Sequence, residues 1–173
     1  MKNLLVIAFI CLSSFAQAQL TSKQEVAPEL VEKREAQKRE ITKDYLALKN
    51  NLLISDSLTV VTNAVSLQRS LKNLRFKKLS LEQMNHATTT RKEVIELAAQ
   101  VAMTKNINKQ RNLFQSLSVK FWDLAPKFKV DDTILYLQVC PMTSAEWVSD
   151  SKEIKNPYYP KNMLTCGAVK ASL

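Results

Sequence analysis

A single glycine, Gly167, occurs in the 173 residues of this chain. One glycine bars every glycine-rich phosphate cradle, since neither a P-loop nor a G-x-G-x-x-G turn can be written with it. Set beside five prolines and 46% hydrophobic residues, it argues against disorder and for a compact, helix-rich domain. The single histidine, His86, excludes an H-E-x-x-H zinc helix, a three-His site and a two-His facial triad.

Four stretches carry apolar residues at helical spacing. From about Pro28 to Asp56, Ile41, Tyr45, Leu48 and Leu52 share one face of a 3.6-residue period. The start of that stretch (EKREAQKRE) is almost wholly charged, so it is expected to project into water. Asp56-Ser57 offers an N-cap for a second helix, along which Val60, Ala64, Leu67, Leu71 and Leu74 repeat the spacing. A third helix is expected from Leu81 to about Met103, with Met84, Arg91, Ile95, Ala98 and Ala102 on its inner face. Its Thr88-Thr89-Thr90 run lowers helix propensity. A fourth runs from about Ile107 to Leu124 with a stripe of Phe114, Leu117, Phe121 and Leu124, and Pro126 follows its end. These stripes read as core, and no paired Glu and Glu-x-x-His of a di-iron bundle lies along them.

Beyond Lys129 the texture changes. Thr133 to Cys140 (TILYLQVC) alternates and is β-branched, which reads as a strand. Leu135, Leu137 and Val139 fall on one side, and Ile134, Tyr136, Gln138 and Cys140 on the other. The rest reads as loop. The expected fold is therefore mainly α: a four-helix up-and-down bundle with a small C-terminal strand/loop segment, about residues 130–173, carrying two cysteines.

Residues 1–18 read as a secretory signal peptide. Lys2 supplies the positive start and Leu4–Leu12 a short apolar run. Ala16-Gln17-Ala18 is a small-x-small cleavage site. Ile10 before Cys11 is not the small residue that precedes a lipidated cysteine, so no lipid anchor is expected. Residues 19–40 are then a charged helical lead and 41–173 the bundle domain. No transmembrane segment is expected after cleavage, and the protein is expected to be periplasmic or secreted. In such an oxidising compartment the remaining pair, Cys140 and Cys166, is often a disulfide.

The formal net charge is +9. Its clusters are short and interleaved with Glu, and Glu29/Lys33 and Glu35/Arg39 are i,i+4 pairs in the favoured order. They read first as solvated faces, and second as adhesive for an anionic membrane or acidic partner. No nucleic-acid partner is expected.

Two short clusters hold both cysteines and two of the four methionines after the leader: Cys140-Pro141-Met142 and Met163-Leu164-Thr165-Cys166-Gly167. Thiolate and thioether sulfurs suit Cu(I) and its relatives rather than Mg²⁺ or Ca²⁺. Residues i and i+2 of a strand share a face, so Cys140 and Met142 can turn two sulfurs to one point. Met163 and Cys166 can do so on a tight turn, where Gly167 permits a positive φ. Three readings stand side by side: a four-sulfur metal pocket, a Cys140–Cys166 disulfide stapling the terminal segment to the strand, and free thiols. Under the second, Met142 and Met163 are core filler.

The sequence from Cys140-Pro141-Met142 through Trp147, Lys152-Glu153-Ile154-x-Asn156-Pro157-Tyr158-Tyr159 and Met163-x-x-Cys166-Gly167 resembles a bacterial exported family, domain of unknown function 3347. Tyr45-Leu46-Ala47-Leu48-Lys49-Asn50 resembles its opening helix. The segment Thr104-Lys105-x-Ile107-x-x-Gln110-Arg111-x-x-Phe114-x-x-Leu117-Ser118 resembles its last one. The likeness extends over about Asp44 to Val169. Members stand alone behind a signal peptide or are fused to periplasmic adaptor subunits of heavy-metal efflux pumps. The resemblance therefore implies copper or a related soft metal as ligand, and an envelope efflux component as partner. Two positions depart from the pattern. Pro160 stands where a Gly is usual, and neither Lys109 nor Asn112 is the His that some members carry. His86 reads as a solitary exposed helical histidine.

Trp147, Tyr158 and Tyr159 are expected either to shield the sulfurs as a supporting shell or simply to cover a small core. No nucleophile–base arrangement and no C-x-x-C is present, so no enzymatic activity is expected. The leading reading is an extracytoplasmic soft-metal protein, with copper at Cys140, Met142, Met163 and Cys166, buffering or delivering metal to efflux. The alternative is a non-catalytic adaptor domain with a structural disulfide.

Overall fold

A computed structural model describes residues 28–173. The signal-peptide reading, its cleavage site and Cys11 lie outside the described residues. Helix α1 spans Pro28–Ile54, α2 Ser57–Asn73, α3 Leu81–Ala102 and α4 Ile107–Leu124. A short 3-10 turn, Ala125–Lys127, follows α4. Strands β1 (Tyr136–Val139), β2 (Glu146–Ser149) and β3 (Ala168–Ser172) complete the chain. The compact unit is Lys33–Leu173. Helix α1 is continuous through residue 40, so residues 33–40 of the charged lead lie on the same helix as the first bundle stripe.

Local chemistry sets the helix starts. The Asp56 carboxylate accepts the Thr59 N–H at 3.1 Å and caps α2. Ser80 and Gln83 form a reciprocal capping box at α3. Asn106 Oδ1 accepts from the Asn108 and Lys109 N–H groups at α4. Each cap satisfies donors that the first turn leaves orphaned, for about 1 kcal/mol. Ser55 takes a left-handed φ of 62° as α1 ends.

The stripes of α1, α2 and α4 are buried as expected, from Ile41 to Leu52, Val60 to Leu71 and Phe114 to Leu124. The inner face of α3 differs. Ala87, Thr90, Val94, Ala98 and Val101 are buried, rather than Met84, Arg91, Ile95 and Ala102. Small residues let α3 approach its neighbours, and Thr90 meets its polar requirement by donating to Asp123 at 3.2 Å. Arg91 instead donates to the Leu74 carbonyl at 2.5 Å and lies over the Phe76 ring, tying down the α2–α3 link. That packing outweighs the low propensity of the threonine run.

The C-terminal segment is more ordered than a strand followed by loop. It forms a three-stranded antiparallel sheet in the order β2-β1-β3. The sheet docks on the bundle through Tyr45, a buried hub. Its ring stacks on Phe121 at 4.0 Å and on Phe114 at 5.3 Å. Its hydroxyl meets Ser118 Oγ at 2.8 Å and accepts the Val148 N–H at 3.0 Å. One side chain thus joins α1, α4 and β2. Burial pushes its ionisation well above the ordinary tyrosine range. Among the described residues no helix is long and apolar enough to cross a membrane.

Candidate functional site: a paired thiol at the sheet end

Strand pairing brings the two cysteines together. Val139 of β1 lies opposite Ala168 of β3. Continuing that antiparallel ladder by one pair sets Cys140 against Gly167, so Cys166 arrives beside Cys140. Their Sγ atoms lie 3.4 Å apart, both as free thiols. Cys140 is buried and Cys166 half-buried, so the pair opens to solvent on the Cys166 side.

The loop after β1 wraps Cys140. The Cys140 N–H donates to the Ala145 carbonyl at 2.9 Å, and the Ser144 N–H donates to the Cys140 carbonyl at 2.8 Å. Ser144 takes a φ of 57° to close this turn. Met142 sits on the turn with 74% of its surface exposed. Its thioether therefore stands in water rather than in a closed four-sulfur cage. Met163 is half-buried, and its carbonyl accepts the Cys166 N–H at 3.1 Å.

Cys166 is held from behind by the Asn-Pro-Tyr-Tyr run. Asn156 Nδ2 donates to the Cys166 carbonyl at 3.2 Å. Its Oδ1 accepts from the Tyr158 N–H at 2.9 Å and the Tyr159 N–H at 3.3 Å, closing an Asx turn. Its own N–H donates to the Leu164 carbonyl at 2.7 Å. Asn156 is fully buried. Beyond closing that turn, it fixes the segment that delivers Cys166 to the start of β3.

Gly167 does not take the positive φ that it permits. Its lack of a side chain matters for space. A Cβ there would meet Ile154 Cγ2 at 2.8 Å and Trp147 Cη2 at 2.9 Å. Trp147 is fully buried, and its indole N–H donates to Gln138 Oε1 at 2.6 Å. Gln138 in turn donates to the Ser151 and Glu153 carbonyls. Tyr158 packs edge-on to Trp147 at 6.0 Å, and its hydroxyl donates to the Glu146 carbonyl. Trp147 and Tyr158 thus form the floor beneath the Cys166 strand, while Tyr159 is exposed.

Arg111 of α4 ties this floor to the bundle. It donates to the Leu52 carbonyl and Ser55 Oγ, each at 2.8 Å, and to the Pro157 carbonyl at 2.9 Å. Burial alone lowers its ionisation. His86 lies away from the thiols, with Nε2 3.0 Å from Asp123 Oδ2.

The two sulfurs are electrostatically unequal. Burial opposes ionisation of Cys140. Hydrogen bonds from the Thr143 hydroxyl, the Cys166 thiol and the Met142 and Thr143 N–H groups outweigh it and hold Cys140 below the usual thiol range. Cys166 is held above that range, first because its thiol hydrogen-bonds Cys140, then by burial and by the Cys140 charge. Both directions favour the negative charge on Cys140, and the sulfur–sulfur hydrogen bond can run from either thiol. Two sulfurs this close can both reach one ion at the roughly 2.3 Å of a thiolate–metal bond. Among the described residues, no group of three or more His, Cys, Asp or Glu side chains converges as a metal site. The donor set is therefore two soft sulfurs, which fits a soft ion and lacks the four donors of structural zinc.

No curated protein and no solved structure matches the chain. A family model described as "Protein of unknown function (DUF3347)" matches residues 41–133. This span is narrower than the resemblance over Asp44 to Val169, and it stops before the cysteine-bearing sheet. It runs from the first buried residue of the α1 stripe through all of α4, and on that match the chain belongs to the family of proteins of unknown function DUF3347.

Proposed function

We propose that this protein binds a soft metal ion, Cu(I) in the first instance, through the Cys140 and Cys166 thiolates. The observation that supports the reading is the pair of free sulfurs 3.4 Å apart at the end of a pinned β-ladder. Soft sulfur donors prefer Cu(I) and its relatives over hard cations. The pair is pre-formed by backbone pairing, so little ordering cost remains for binding. Met163, half-buried one turn before Cys166, is the proposed additional ligand. Met142 joins only if its exposed side chain turns inward from the loop tip.

In this reading the protein is exported, and buffers metal or passes it to an efflux component of the cell envelope. The solvent-facing Cys166 is the end at which metal enters and leaves. No catalytic role is assigned.

The same separation also suits closure to a disulfide, which supports the second reading: an adaptor domain stapled between β1 and the start of β3. Anaerobic Cu(I) titration of reduced protein against a chelating competitor separates the two. Metal binding predicts tight uptake that either Cys140→Ser or Cys166→Ser abolishes, with a smaller effect from Met142→Leu. No uptake, or uptake unchanged in Cys140→Ser, overturns the metal reading. A pair found fully oxidised and resistant to mild reductant in freshly isolated protein supports the staple.

A further inference from the structure

A second feature lies at one end of the bundle and is independent of the thiol pair. The link between α1 and α2 (Ser55–Asp56) and the link between α3 and α4 (Met103–Asn106) lie side by side. Gln110 Nε2 stitches them, donating to the Ser57 carbonyl at 3.0 Å and the Thr104 carbonyl at 2.7 Å. The chain neighbours of those two carbonyls are Leu58 and Met103, and Ile54 ends α1 beside them. All three project into water, with Met103 84%, Ile54 72% and Leu58 61% exposed. Large apolar side chains grouped in the open mark a contact surface.

The charge around them is net positive. Across the two links and the adjoining helical turns, residues 51–60 and 99–110, the single acidic residue is Asp56. Its carboxylate is engaged by the Thr59 N–H at 3.1 Å and the Thr59 hydroxyl at 2.6 Å. The basic residues there are Lys105 and Lys109, both exposed. Apolar tips flanked by lysines match a lipid interface: hydrocarbon enters the headgroup boundary, and long basic side chains stay at the phosphates. The net charge of +9 adds long-range attraction to an anionic surface.

We propose that this end of the bundle docks on an anionic lipid surface. Ile54, Leu58 and Met103 enter the interface, and Lys105 and Lys109 engage the headgroups. The apolar tips stand on three different elements, the end of α1, the start of α2 and the α3–α4 link, and so form no single-helix i, i+3, i+4, i+7 ridge for a protein groove to read. A fluid surface makes no such demand.

The test is co-sedimentation of the full chain with two kinds of vesicle, pure phosphatidylcholine and phosphatidylcholine mixed with phosphatidylglycerol. The apolar run Leu4–Leu12 can itself enter a bilayer, so the readout is the ratio of binding to anionic over neutral vesicles. Wild type is expected to favour the anionic vesicles strongly. K105E/K109E is expected to lower the ratio at least about tenfold. L58S/M103S should reduce binding to anionic vesicles with the helical circular dichroism unchanged. K72E/K77E, altering exposed lysines at the opposite end, should leave the preference largely intact. A wild-type ratio near one overturns the proposal, as does equal loss in K72E/K77E and K105E/K109E. Absence of binding to either vesicle also overturns it and turns the patch over to a protein partner.

Discussion

Gly167 lies flush against the Trp147 ring, with no room for even a methyl group between them. The contact carries the Cys166 strand directly over the indole floor. Gly167→Ala is therefore expected to act by overpacking rather than backbone strain, since its φ is not positive. Overpacking of this kind costs about 1–3 kcal/mol. Urea unfolding checks the loss. Rescue of stability by a second change, Ile154→Ala, would identify crowding as its cause, because Ile154 supplies the nearest colliding atom.

The Arg111 fork predicts that Arg111→Lys is not conservative. Its guanidinium serves acceptors on the end of α1 and on Pro157 at once, which a single ammonium does not reproduce. A loss of about 1.5–3 kcal/mol is expected, typical of hydrogen bonds to a charged group. Amide exchange should quicken at Tyr158 and Tyr159 before it does in α2.

Removal of the Tyr45 hydroxyl leaves the Ser118 hydroxyl and the Val148 N–H without their buried partner. Tyr45→Phe should cost about 1–3 kcal/mol. Adding Ser118→Ala should recover part of it, leaving the Val148 share. A thermodynamic double-mutant cycle by urea denaturation reads this directly.

Two buried charges make opposite contributions to the pH dependence of stability. Burial lowers the Lys49 ionisation, countered by the nearby Asp150 charge. The unfolded chain then holds more protons on this group, so its contribution improves as pH rises from the folded value toward the unfolded one. Burial raises the Asp44 carboxyl, partly offset by a Ser70 hydrogen bond. Its contribution is best in acid and falls as pH rises from the unfolded value through the raised folded value. Asp44→Asn is expected to stabilise the protein at neutral pH relative to acid. Lys49→Met should remove the alkaline gain. Urea midpoints measured across pH on each variant check both signs.

The helices were legible because large side chains repeat on one face in α1, α2 and α4. In α3 the buried face is built of Ala, Thr and Val, while the larger Met84 and Ile95, which dominate the apolar pattern, stay half-buried. Strands β2 and β3 carry no periodic signal. EWVS is buried along most of its length, and AVKAS is mostly exposed, so neither shows the alternation that marks a half-buried strand. The meeting of Cys140 with Cys166 followed from that unseen pairing. Asn156 and Arg111 stand in the motifs of the resemblance, but their roles were not legible, since their work is to satisfy backbone carbonyls that only the tertiary fold brings within reach.

X-ray absorption at the copper edge of reduced, Cu(I)-loaded protein tests the central claim most directly. The account predicts a first shell made of sulfur, with Cys140→Ser losing both the bound copper and that shell. A shell of nitrogen or oxygen, or a sulfur shell unchanged by Cys140→Ser, contradicts it.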